Sequence, residues 1–329
     1  MYNPHAGRVL GRFFLGDLFM KKAVKIPLII LGVLAGLFIL IVLALNVGRF
    51  IAFRDYYEIR TREAPNPGLN DGFVPQGITY NEDKNYFVTV GYTVKGTGSR
   101  LYKISDKKNI QQFDLVKDGK EWNGHTGGLQ YLNGAFYLAN ESDGVYRISE
   151  TALENSESNQ IEIGEKISVN NHSSFIFSDN KYLYVGEFND SKNYISKNEI
   201  TWEGKTQNAI VTKYDESFEK PLVVYSIPNQ IQGFAITESG KFVLSRSWSV
   251  KPSDFFIFDS AIETGELYDG APLYILHRDN ISKDIKGLPF SEDLDYFNGK
   301  VYTMDEAACD AYMLGKFYFD YSIFSLKID

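Results

Sequence analysis

Cysteine is almost missing from this 329-residue chain. Cys309 is the only one, so no intrachain disulfide can staple the fold. With one cysteine and four scattered histidines, a zinc site lacks its usual ligands. The sequence also holds no G-x-S-x-G elbow, no Walker loop and no H-E-x-x-H pair. Their absence removes the commonest signatures of serine esterases, nucleotide hydrolases and zinc proteases. Beyond residue 50, basic charge is short: 28 Lys and Arg stand against 41 Asp and Glu, a net of −13. A domain that acidic is excluded as a nucleic-acid binder, because phosphate contacts need positive charge.

The first 50 residues are the reverse, with six basic residues and one acidic. Residues 26–47 form an uncharged run of 22, long enough to cross a bilayer as a helix. Arg8, Arg12, Lys21, Lys22 and Lys25 precede it, and that bias places the N-terminus in the cytoplasm and the rest outside. The expected layout is a basic segment at 1–25, an anchor at 26–47, a linker at 48–72 and an extracytoplasmic domain at 73–329. A cleaved signal peptide is the alternative, although no A-x-A site follows the run. An external domain without disulfides fits a bacterial cell surface.

One pattern recurs five times from residue 73 onward: a strand, a tight turn, a second strand with a polar end, a loop and a third strand. The first strands begin at Gly77, Gly128, Ser174, Gly233 and Asp293, spaced 46 to 60 positions apart. Multi-strand repeats of that length are the signature of propeller blades, which predicts an all-β, five-bladed β-propeller rather than a six-bladed one. Outer fourth strands are expected at Gln112–Val116, Glu162–Val169, Leu222–Ile227 and Leu273–His277. The fifth copy has none, so residues 55–62 are expected to supply it and close the ring, since a bare strand edge invites aggregation.

In such a ring the starts of the inner strands and the ends of their partners share one rim, where loops carry function. That rim collects Gln76, Tyr92, His125, His172, Glu187, Gln232, Arg246, Trp248, Glu292, Asp305 and Glu306 as candidate ligand contacts. Gly77, Gly128 and Gly233 are read as steric, because inner strands converge near the axis. Buried acids are costly unless paired or metal-bound. Glu187, Glu292 and Glu306 are therefore candidate calcium ligands, oxygen donors being what calcium takes. An ion pair with Arg246 is the structural alternative. If the protein is an enzyme, Glu187, Glu292, Glu306 and His125 are the candidate catalytic groups of a hydrolase acting on esters, lactones or glycosides.

Val74-Pro75-Gln76-Gly77, Gly124-His125-Thr126-Gly127-Gly128, Val185-Gly186-Glu187-Phe188, Gln232-Gly233-Phe234-Ala235, Ser291-Glu292-Asp293 and Asp305-Glu306-Ala307-Ala308 occur in consistent order. In these segments the chain resembles a largely uncharacterised family of secreted or membrane-anchored bacterial β-propellers. More distantly it is similar to gluconolactonase-like and strictosidine-synthase-like propellers. That similarity implies an axial metal held by acidic and amide side chains, but those propellers have six blades. The expected function is binding of a small polar or glycan ligand in the top-face pocket, with calcium as the candidate cofactor. A hydrolase is the first alternative. An envelope scaffold docking a protein partner is the second.

Overall fold

The computed structural model describes residues 7–94, 96, 98–141 and 144–329, with side chains from Lys25 onward except at Met313 and Leu314. The chain divides into two compact units, Met1–Ala52 and Phe53–Asp329. The first is a helix, Gly7–Ala52, whose stretch Lys25–Ala52 is long and apolar enough to cross a membrane. At 1.5 Å per residue those 28 residues reach about 42 Å.

The second unit is a five-bladed β-propeller. Blade one runs outward through Phe73–Asn81, Tyr86–Thr93, Ser99–Ile104 and Ile110–Lys117. Blade two uses Gly128–Leu132, Ala135–Ala139, Gly144–Ser149 and Ile167–Ser168. Blade three uses Phe175–Ser178, Leu183–Gly186, Ala209–Tyr214 and Val223–Ile227, and blade four Ile231–Ile236, Phe242–Arg246, Ser253–Phe258 and Lys283–Gly287. Blade five is Ser291–Phe297, Lys300–Asp305 and Ser322–Leu326, completed from the other end of the chain by Arg60–Pro65. Each inner strand packs on the next, and the fifth returns to the first. Asn133-Gly134 and Asn298-Gly299 turn the inner hairpins of blades two and five with positive φ at both residues, which matches strand twist.

Inner strands approach each other closely. A Cβ on Gly77 would stand 2.7 Å from the Gly128 carbonyl carbon, and one on Gly233 would stand 2.7 Å from the Leu294 nitrogen. The space left on the axis is filled by polar side chains. Asp293, fully buried, accepts the backbone N–H groups of Ile78 at 3.3 Å and Leu129 at 3.0 Å. One acid from blade five thereby ties blades one and two together. Asp295 accepts the N–H of Tyr80 at 2.7 Å, and Gln130 donates to the carbonyls of Ile78 and Leu294.

Three expectations shift. The ring-closing strand is Arg60–Pro65 rather than 55–62, because Arg54–Ile59 forms a short helix instead. That helix buries Tyr56, which stacks on Phe255 of blade four at 5.6 Å, so pairing begins only at Arg60. The outer strand of blade four is Lys283–Gly287, not Leu273–His277. Its residues 273–275 belong instead to the strand Ala271–Ile275, which pairs parallel to the outer strand of blade three and buries Leu273 and Ile275 beside Ile210 and Val224. In blade two, 162–169 splits. Gln160–Glu162 joins blade one in parallel, leaving Ile167–Ser168 as the blade's own edge.

Candidate functional site

At the upper mouth of the channel, the inner strands of blades one, four and five carry register shifts at Pro75/Gly77, Ile231/Gly233 and Ser291/Leu294. A bulge re-aims a side chain, and these re-aim Gln76, Gln232 and Glu292. Gln76 is the hub. Its amide donates to Glu306 Oε2 at 2.8 Å, while its Oε1 accepts from His125 Nε2 at 3.2 Å. The same imidazole nitrogen lies 3.3 Å from Glu141 Oε1. Two oxygen acceptors on Nε2 assign the ring proton there. Tyr92 packs on the His125 ring at 4.6 Å, and Tyr312, stacked on Phe290 at 4.3 Å, hydrogen-bonds Glu306.

Burial sets the charge state of this centre. Glu292 is 2% exposed, and desolvation, reinforced by Glu306, holds its pKa well above the carboxylate range. Glu306 is pushed up to about 8 by desolvation, with Tyr312 and Gln76 pulling it back. Desolvation lifts Glu141 to about 7 and lowers His125 to about 4. Burial thus outweighs their mutual attraction, and at neutral pH the imidazole is uncharged. Tyr92 and Tyr312 are raised by desolvation and stay protonated. The centre is a set of O–H and N–H donors without a fixed positive charge.

Two members lack protein partners. The Glu292 carboxyl has no hydrogen bond among the described residues, although the residue is almost wholly buried. Gln232, half-buried on the equivalent bulge of blade four, makes none either. Glu141 holds a left-handed backbone, φ +45°, which an L-residue keeps only where its surroundings enforce it. An aromatic group stands beside it: Trp248 packs on Phe188 at 5.3 Å and on Tyr194 at 6.1 Å, and the charge of Glu141 is felt at the Tyr194 phenol.

The structure therefore gathers Gln76, Tyr92, His125, Glu292 and Glu306. Gln232 stands on the neighbouring bulge of blade four, whereas Glu187, His172 and Arg246 are engaged in other bonds. Glu187 is buried apart from them, its oxygens taken by Asn198 Nδ2 at 2.6 Å, His172 N–H at 3.1 Å and Ile210 N–H at 3.2 Å. His172 serves that bond through its backbone. Arg246 pairs with Asp254 and with Gln230 rather than with the channel acids. Asp305 is buried, and its charge is felt at Arg60 and Tyr56 of the ring-closing segment as well as at Glu292.

Glu187, Glu292 and Glu306 are not assembled around one point. No trio of His, Cys, Asp or Glu is grouped as metal ligands among the described residues. Sequence reasoning missed Tyr312, because it sits in the irregular loop 306–321, where the repeat gives no alignment. It also left Glu141 out of the site, although that residue ends a second strand just as Glu306 does. A cavity of about 760 Å³ opens at the opposite mouth, among Tyr80, Phe177, Lys181, Tyr296 and the exposed acids Glu82 and Glu238.

No family model matches this chain. No curated protein matches it. Among solved structures it is similar to the glutaminyl cyclase of Myxococcus xanthus, at 9% identity and a TM-score of 0.43, over 81% of this chain and 95% of that one. It is also similar to the PQQ-bound aldose sugar dehydrogenase of Streptomyces coelicolor, at 12% identity and a TM-score of 0.44, over 75% and 78%. Likeness at that level attaches no reaction to this chain.

Proposed function

We propose that the upper mouth of the propeller binds a small polar ligand rich in oxygen acceptors, such as a glycan of the cell envelope, and that Lys25–Ala52 anchors the protein with the propeller outside. The unpartnered carboxyl of Glu292 carries this reading. A ligand oxygen would supply the hydrogen bond that the protein does not. Gln232, Glu306 and Tyr312 add donors around it, and Tyr92 and Trp248 offer aromatic faces to a sugar ring. Calorimetric titration of envelope oligosaccharides into the full chain tests it. Saturable binding abolished by Glu292→Ala and weakened by Gln232→Ala supports the site; binding indifferent to both removes it.

A second reading rests on Glu141 and Glu306, lifted to about 7 and about 8. Groups titrating there suit acid–base transfer near neutral pH, as hydrolysis of an ester, lactone or glycoside needs. Turnover of aryl esters or aryl glycosides with a bell-shaped pH profile, lost in Glu141→Gln, would favour it. Absence of turnover leaves binding as the function of the mouth. The anchor is tested by carbonate washing of membranes. Retention in the pellet is the expected result, and release would show that the helix does not span.

A further inference from the structure

Two neighbouring loops push apolar side chains into solvent. One covers residues 189–197 of blade three and the other residues 247–252 of blade four. Each follows the second strand of its blade, so both lie on the upper face. Ile195 is 64% exposed and Val250 75%. With Leu267 they are the most exposed apolar residues of the propeller among those described. Tyr194, also exposed, stands next to Ile195. The loops are joined to each other. Gln230 N–H donates to the Asn189 carbonyl at 3.0 Å, and Ser247 N–H donates to the Gln230 carbonyl at 3.1 Å. The Trp248 and Tyr194 rings meet at 6.1 Å across the same gap.

Lys192, Lys197 and Lys251 flank these tips, all exposed and none in an ion pair among the described residues. The two loops expose no acid. Asp190 is buried and spends its carboxylate on the N–H groups of Lys192, Asn193 and Tyr194 at 2.9, 2.8 and 2.8 Å. The lysines therefore stand out on a domain whose net charge beyond residue 50 is −13. Turns of the opposite face expose Glu82, Asp83, Asp215 and Glu238 instead.

Exposed apolar groups rimmed by polar ones mark a contact surface. These project from loop ends rather than lining a groove, so a fluid partner suits them better than a rigid one. Apolar tips, an aromatic pair and surrounding lysines match what a bilayer offers: acyl chains, a headgroup boundary and anionic phosphates. We infer that loops 189–197 and 247–252 dock the propeller on an anionic phospholipid bilayer. Ile195 and Val250 enter the acyl boundary, and Lys192, Lys197 and Lys251 meet the phosphates. The inference does not rest on the ligand proposed for the channel mouth, and its variants leave the mouth residues untouched.

The test uses the full chain in vesicles of phosphatidylcholine alone or mixed with phosphatidylglycerol. Ile195→Cys and Val250→Cys are each labelled with an environment-sensitive fluorophore, while Cys309, fully buried, stays unlabelled. Glu157→Cys, exposed on the opposite face, is the control. With phosphatidylglycerol present, emission from residues 195 and 250 should shift to the blue and be quenched by spin-labelled acyl chains. Emission from residue 157 should stay water-like. Lys192→Glu combined with Lys251→Glu should lower the docking equilibrium constant about tenfold or more. All these positions are exposed, so the fold is not at risk. Water-like emission at both tips would overturn the inference. So would an equal response at residue 157, in phosphatidylcholine alone, or after the two charge reversals. A shift that follows protein density rather than phosphatidylglycerol content would also overturn it and assign the face to a second copy of this chain.

Discussion

At the scale of single residues, the acids on the axis divide into two kinds by what their oxygens meet. Asp293 is a structural tie: one oxygen accepts two backbone N–H groups from neighbouring blades, and desolvation holds its pKa well above normal. Asp293→Ala strips those N–H groups of their acceptor and should cost about 1–3 kcal/mol in chemical denaturation. Asp293→Asn keeps an acceptor of the same shape and cannot ionise, so it should raise the melting temperature at pH 8 and raise it less at pH 5. Glu292, one residue earlier, has no such bonds and is the residue left for a ligand. The sequence showed both as acids at the head of an inner strand. Only the bulge between Ser291 and Leu294 decides which one fills the axis, and hydrophobic alternation does not reveal a bulge.

At the scale of elements, two devices hold the ring. Glycine lets the inner strands meet: Gly77→Ala would drive a methyl into the backbone of blade two, and overpacking of that kind costs about 1–3 kcal/mol in unfolding free energy. The ring is closed by Arg60, whose guanidinium donates to both oxygens of Asp320 at 2.8 and 2.6 Å and lies 3.4 Å over the Phe324 ring. Both side chains are buried, at 5% and 2% exposure. Removing one member of such a pair strands the other, so Arg60→Met should destabilise by about 3–5 kcal/mol, and proteolysis should then start at the closing strand. The glycines were legible in the sequence because repeat alignment places them at one position. The closing strand was legible only as a need, since the fifth repeat lacked an outer strand. Its register was not, because Tyr56 folds into a helical turn to reach Phe255, a contact 199 positions away.

At the scale of the whole molecule, the fold was legible and the site only half so. Five-fold repetition reports where strands lie, and from that the rim follows. It says nothing of which rim side chains turn inward, and so Glu187, Arg246 and Asp305 looked equivalent to Glu292 and Glu306. The buried acids also shape the response of the propeller to pH. Asp293 and Glu292 are raised well above their ordinary values, with Glu306 at about 8, Glu141 at about 7 and Asp295 at about 6. Between the ordinary values, 3.8 for Asp and 4.5 for Glu, and these folded values, the unfolded chain has released protons that the folded chain still holds. Stability therefore falls as pH rises from about 5 to 8. His125, lowered to about 4, works in the opposite direction below 6.5, but it is one group against five. Thermal melts should show a higher transition at pH 5.5 than at pH 8, with the slope flattened in Glu292→Gln. The most direct measurement is the affinity of the channel mouth for an envelope oligosaccharide from pH 5.5 to 9, in the wild type and in Glu292→Gln. Affinity that holds while Glu306 is protonated, falls above pH 8 and is weakened in the variant is the result expected of a neutral, proton-donating centre. Affinity that is flat with pH and the same in both proteins would contradict it.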